Sequence, residues 1–162
     1  MPVFHFTYHT YRSWMPDRDE GFVQEHRGWQ PKNEKLAKAY AEAAAWPAFV
    51  LTADDQRFVI ERVLDICGRR SWRLHGAATE PTHLHAVVSW RDETKWNIVR
   101  GRIRNILSTE LSKRHDQTGR PWLSQGASRK QVEDEDHFNY LMHVYLPQHS
   151  GWKWFEGRGF VR

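Results

Sequence analysis

The amino-acid sequence predicts an α+β fold, with helices packed on one face of a mostly antiparallel sheet. Three observations predict it. The chain opens on an alternating strand. Residues 71–78 and 82–90 read as two long strands parted only by a turn at Glu80-Pro81. Amphipathic helical stretches stand before and after that pair. Long strands joined by a hairpin and crossed by helices suit one sheet with a helical layer.

Each element follows from its pattern. In residues 3–11, Val3, His5, Thr7 and His9 share one face of a strand, and Phe4, Phe6 and Tyr8 share the other. Residues 13–33 are rich in Gly, Pro and charge and read as a long loop. Residues 34–45 are Ala-rich and predict a helix ending before Pro47. Residues 48–51 read as a short strand. Thr52 is a good N-cap, with Asp54 and Asp55 in the first turn of a helix that buries Phe58, Val59, Val63, Leu64 and Ile66 and stops at Gly68. After the two long strands, residues 95–114 form an amphipathic helix. Trp96, Val99, Ile103, Ile106, Leu107 and Leu111 lie on its apolar side, and Arg100, Arg102, Arg104, Lys113 and Arg114 on its polar side. Residues 116–127 are a loop. A last helix is predicted over 134–146, ended or kinked near Pro147. The tail, 151–162, carries Trp152, Trp154, Phe155 and Phe160, aromatics that suit capping the core.

The 162 residues predict a single domain over 1–162, with the loop at about 13–33 and the Trp-rich tail at 151–162. Hydrophobic residues make up 40% and charged residues 27%, which fits a globular chain and excludes a disordered one. No apolar run approaches the roughly 18–20 residues that span a bilayer. The N-terminus lacks the pattern of a signal peptide. A cytoplasmic protein without a membrane partner is expected. Cys67 is the single cysteine, which excludes an internal disulfide and a Cys-rich zinc site. The formal net charge of +4 permits a polyanionic partner.

Nine Trp and ten His stand out in the composition. His83-Leu84-His85 is the sharpest chemical candidate. In a strand, both imidazoles point to one face, a rigid platform for two metal-ligating nitrogens. Two polar residues on a solvent-facing strand are the plainer reading, and about 0.6 such triplets arise by chance at this composition. The helix from His137 to His149 supplies a second candidate. Tyr140 and His143 are spaced i, i+3, and Tyr145 and His149 are spaced i, i+4. A tyrosine can attack a phosphodiester that a metal polarises, although aromatics at helical spacing more often serve a core. The arginines and lysines of 95–114, with Arg129, could track a phosphate backbone or form a solvated face. There is no P-loop, dinucleotide-binding glycine pattern, Gly-x-Ser-x-Gly elbow or His-Glu-x-x-His.

The order of these pieces resembles the single-tyrosine HUH transposases of small insertion sequences, and more closely their REP-associated relatives. The residues that carry the resemblance are Phe4 to Tyr11, Trp14 with Asp19-Glu20-Gly21, and Thr82-His83-Leu84-His85-Ala86-Val87-Val88. Trp122 with Gly126-Ala127-Ser128-Arg129, followed by the acidic stretch before Tyr140, completes it. It spans nearly the whole chain.

The resemblance implies a ferredoxin-like antiparallel sheet and a metal-dependent endonuclease and strand transferase acting on single-stranded or hairpin DNA. It implies Mg²⁺ or Mn²⁺ at His83 and His85, and a tyrosine that forms a 5′-phosphotyrosine link and frees a 3′-OH. In that family a Gln or Asn four residues after the tyrosine completes the metal site. Here Val144 follows Tyr140 at that spacing, and His149 follows Tyr145. Tyr140 matches the local run best, Tyr145 is the second candidate, and His149 is a candidate third ligand. The DNA-contacting candidates are Arg100, Arg102, Arg104, Lys113, Arg114 and Arg129. A hairpin-binding protein that has lost cleavage is the alternative, with His143 standing near the lost tyrosine's place. Whether one chain or a homodimer builds the active site stays open.

Overall fold

A computed structural model describes residues 1–24, 26–126 and 128–162. Glu25, within the predicted 13–33 loop, and Ala127, within the Gly126–Arg129 run, lie outside the described residues. The elements in chain order are β1 (Val3–His9), β2 (Phe22–Gln24), β3 (Gly28–Gln30), α1 (Glu34–Ala43) and α2 (Ala53–Arg69). They continue with β4 (Arg73–Glu80), β5 (His83–Ser89), α3 (Trp96–Arg114), β6 (Ser128–Gln131) and α4 (Glu135–Tyr140). A π-helical turn (Leu141–Tyr145), β7 (Lys153–Phe155) and β8 (Gly159–Val161) complete the chain.

The main sheet has six strands in the order β6-β1-β5-β4-β7-β8, every neighbouring pair antiparallel. Its first four positions, linked through α2 and α3, give the β-α-β-β-α-β connectivity of a ferredoxin-like domain. The fold class is therefore α+β and ferredoxin-like, as expected. Phe4, Phe6 and Tyr8 of β1 and Leu84, Ala86 and Val88 of β5 meet Val59, Ile60 and Val63 of α2 and Ile103, Leu107 and Leu111 of α3 in the main core. Period 2 in the strands and period 3.6 in the helices aim these residues at one another. The α2 start is a capping box: Asp55 N–H donates to Thr52 Oγ1 (3.1 Å) and Thr52 N–H donates to Asp55 Oδ2 (3.2 Å).

The C-terminal helical segment lies on the opposite face of the sheet. Leu141 and Leu146 pack there against Ala78, Val87 and Phe155. Gly76 makes the approach close, because a Cβ there would stand 2.9 Å from Met142 Cε and 3.0 Å from Leu146 Cδ1. The predicted continuous helix over 134–146 is instead α4 followed by a π turn, in which Leu146 N–H donates to Leu141 O at 2.9 Å. The extra residue per turn redirects every side chain beyond it.

Three other expectations are corrected. Residues 48–51 form no strand, since Phe49 N–H donates to Tyr11 O and Leu51 N–H to Pro81 O, two separate partners that cannot make a ladder. The 13–33 loop contains the β2–β3 hairpin. The tail adds strands: β7 pairs with β4, while Trp152, Trp154 and Phe160 pack against the main core. The strand β6, which pairs with β1, was not visible in the run Ser128–Gln131 because its residues are polar and exposed.

Candidate metal and tyrosine site

The site grows out of strand register. β1 and β5 pair with Thr7 opposite His85 and His9 opposite His83. Alternation then gives His5, Thr7, His9, His83 and His85 to the face away from α2 and α3. Neighbouring rings stand 5.0 Å apart for His5 and His85, 5.6 Å for His9 and His83, and 4.7 Å for His83 and His85. The turn after the π segment delivers His149, whose ring lies 4.6 Å from His85 and 5.9 Å from His83. One nitrogen from each of His83, His85 and His149 lies within 4.8 Å of the others.

Hydrogen bonds settle which nitrogens face inward. His149 Nδ1–H donates to Tyr145 O (3.0 Å) and Leu146 O (3.2 Å), which leaves the Nε2 lone pair free. His85 Nδ1 meets His5 Nε2 (3.0 Å) and Thr7 Oγ1 (2.9 Å), so its Nε2 is the nitrogen left for a ligand. Burial, reinforced by the surrounding imidazoles, pushes His85 down to about 2 and His5 down to about 4. Burial and then His149 lower His83 as well. Neutral imidazole is the metal-binding form, so a divalent ion fits this cradle. Its donors are all nitrogen, and imidazole suits transition metals better than Mg²⁺, which prefers oxygen.

The structure brings Tyr145, rather than Tyr140, to this trio. Tyr145 Oη is 3.5 Å from His85 Nε2, and its ring is 5.1 Å from His149. Burial, with Tyr140 nearby, raises the Tyr145 phenol. Tyr140 is 50% exposed, with its ring 6.3 Å from that of Tyr145. Val144, four residues after Tyr140, is exposed, as are His143 and Gln148. The segment carrying His149 is firmly held. Lys153 Nζ donates to His149 O (2.7 Å) and Gly151 O (3.0 Å), and Ser150 N–H and Oγ–H donate to the Glu80 carboxylate.

The basic candidates divide. Arg129 lies 3.6 Å over the Trp96 ring and Arg100 5.1 Å from it, while Arg104 donates to Gln125 O at 2.9 Å. They gather on the helix-covered face beside β6, and Arg102 is exposed nearby on α3. Lys130, opposite His5 in the register, turns to the histidine face. At the far end of α3, Arg114 donates to the buried Asp55 (2.8 Å) and Lys113 to Glu110 (2.8 Å), so both have protein partners. His5 was visible in the sequence only as a member of an alternating face, and its bond to His85 required the register.

No family model matches this sequence, and no curated protein matches it. In fold it is similar to the structure of a REP-associated tyrosine transposase bound to a REP hairpin, with 8% identity and a TM-score of 0.49. The likeness covers 90% of this chain, which spans 66% of the length of that one.

Proposed function

We propose that the protein is a metal-dependent single-stranded DNA endonuclease and strand transferase acting at DNA hairpins through a 5′-phosphotyrosine intermediate. The observation that carries this reading is the convergence of His83, His85 and His149 with the Tyr145 hydroxyl on one sheet face. The order of motifs in the sequence supports it. So does the basic edge formed by Arg100, Arg104, Arg129 and Lys130, which fits a phosphate backbone.

A divalent ion held by the three imidazoles would polarise the scissile phosphate. Tyr145 is the nucleophile. Its oxygen bonds to phosphorus, the P–O3′ bond breaks, and the phenolic proton balances the charge on the departing 3′ oxygen. The products are a tyrosine-linked 5′ end and a free 3′-OH. His5 and Thr7 keep His85 oriented through its Nδ1. The all-nitrogen donors favour Mn²⁺ over Mg²⁺.

The test is covalent trapping. End-labelled hairpin DNA with single-stranded flanks is mixed with the protein and Mn²⁺ and run on a denaturing gel. A protease-sensitive shifted band is expected, lost in Tyr145→Phe and His83→Ala and kept in Tyr140→Phe. Hairpin binding without any covalent band in either metal would replace this reading with the binding-only one.

A further inference from the structure

Arg18 and Trp14 belong to the connection between β1 and β2, within the loop the sequence predicts at 13–33. The Arg18 guanidinium carbon stands 3.9 Å from the centre of the Trp14 ring. The Trp14 ring lies 4.6 Å from His9, and His9 lies 5.6 Å from His83. These side chains form one row of neighbouring rings, tilted to one another, that runs from the surface to the metal-ligand trio. Trp14 is 40% exposed, so the outer end of the row is open to solvent.

The guanidinium is held by stacking more than by acceptors. Its acidic neighbour, Glu20, is 3.7 Å away, beyond hydrogen-bond length, with a 75% exposed side chain; such a pair contributes little. Its Nε is enclosed and has no acceptor among the described residues. Among the described residues, the Glu20 carboxylate at 3.7 Å is the acidic group beside the terminal nitrogens, and a phosphate can compete for them. A planar guanidinium fixed on an aromatic ring is suited to phosphate, whose oxygens match its fork.

We infer that Arg18, seated over the Trp14 ring, is a phosphate-binding residue that grips a backbone phosphate of the DNA strand beside the one at the His83, His85 and His149 trio. The inference rests on the single-stranded DNA reading and adds a residue to it.

The experiment measures affinity of the full chain, in Mn²⁺, for a fluorescent single-stranded oligodeoxynucleotide of about 20 nucleotides across a salt series. Arg18→Gln is expected to weaken binding about 10- to 100-fold, the effect of one charge-assisted contact. It should also flatten the slope of log affinity against log salt by about 0.7, the share of one phosphate contact on a single strand. A merely structural role would not move that slope. Trp14→Leu keeps the charge and loses the stack, so affinity should fall with less change in slope. Arg62→Gln, on α2 and paired with Asp65, should leave both unchanged. Wild-type binding with an unaltered slope in Arg18→Gln overturns this inference alone. A wild-type chain that does not bind the oligonucleotide overturns the DNA reading and this inference with it.

Discussion

Each imidazole of the trio is oriented by what its Nδ1 touches, His83 Nδ1 meeting Thr82 Oγ1 at 3.0 Å. His149 gives Nδ1–H to two carbonyls, and His85 gives Nδ1 to His5 and Thr7. His149→Ala should therefore weaken Mn²⁺ binding by more than about tenfold, read by titration calorimetry. The same titration with Mg²⁺ should give a weaker constant. Tyr145→Phe should reduce covalent product by at least about 1,000-fold, as a nucleophile's loss does, while Tyr140→Phe should retain it. His83 and His85 were legible in the sequence because the strand period fixes a shared face. The choice between Tyr140 and Tyr145 was not: an i, i+4 count pairs Tyr145 with His149, but only the tertiary fold sets both beside His85.

The π turn is the element that brings Tyr145, and not Tyr140, beside His85. One inserted residue between Leu141 and Tyr145 turns Tyr145 toward His85, and the chain then bends so that His149 follows. No residue type in that run announces a π turn, which is why the sequence predicted one continuous helix. The bend beyond it depends on Gly151, where a Cβ would collide with Thr79 O and Gln56 Oε1. Gly151→Ala should cost about 1–3 kcal/mol, the range for overpacking, measured by urea denaturation. It should also weaken Mn²⁺ binding, because the same turn positions His149. The β7–β8 hairpin was hidden for a different reason: its aromatics suit a core cap and a strand equally well, and only pairing with β4 distinguishes them.

At the scale of the molecule, the sheet serves two layers. One face carries the apolar core under α2 and α3, and the other carries a smaller apolar cluster beside the histidines. The alternation of Phe4, Phe6 and Tyr8 with His5, Thr7 and His9 made both faces readable in advance, and the helix periods made the first layer readable. Placing α4 on the second face needed tertiary contacts: Gly76 and Val87 lie far from it in sequence. Concentrating neutral histidines on one face has a pH consequence. In the unfolded chain they take up protons near 6.5, whereas His5 and His9 in the folded chain resist until about 4, mainly through burial. The unfolded state binds more protons in that window, so stability falls as pH drops from about 6.5 to 4. Thermal melts of the metal-free protein should show a falling melting temperature across that range and a plateau above it.

The proposed reaction requires that Tyr145, beside the three-histidine cradle, form a bond to DNA. Mass-spectrometric mapping of the trapped adduct tests it most directly. A nucleotide is expected on the peptide that carries Tyr145, at that residue, and only with His83 and His85 intact. Attachment at Tyr140, or adduct formation that persists in His83→Ala, would contradict it.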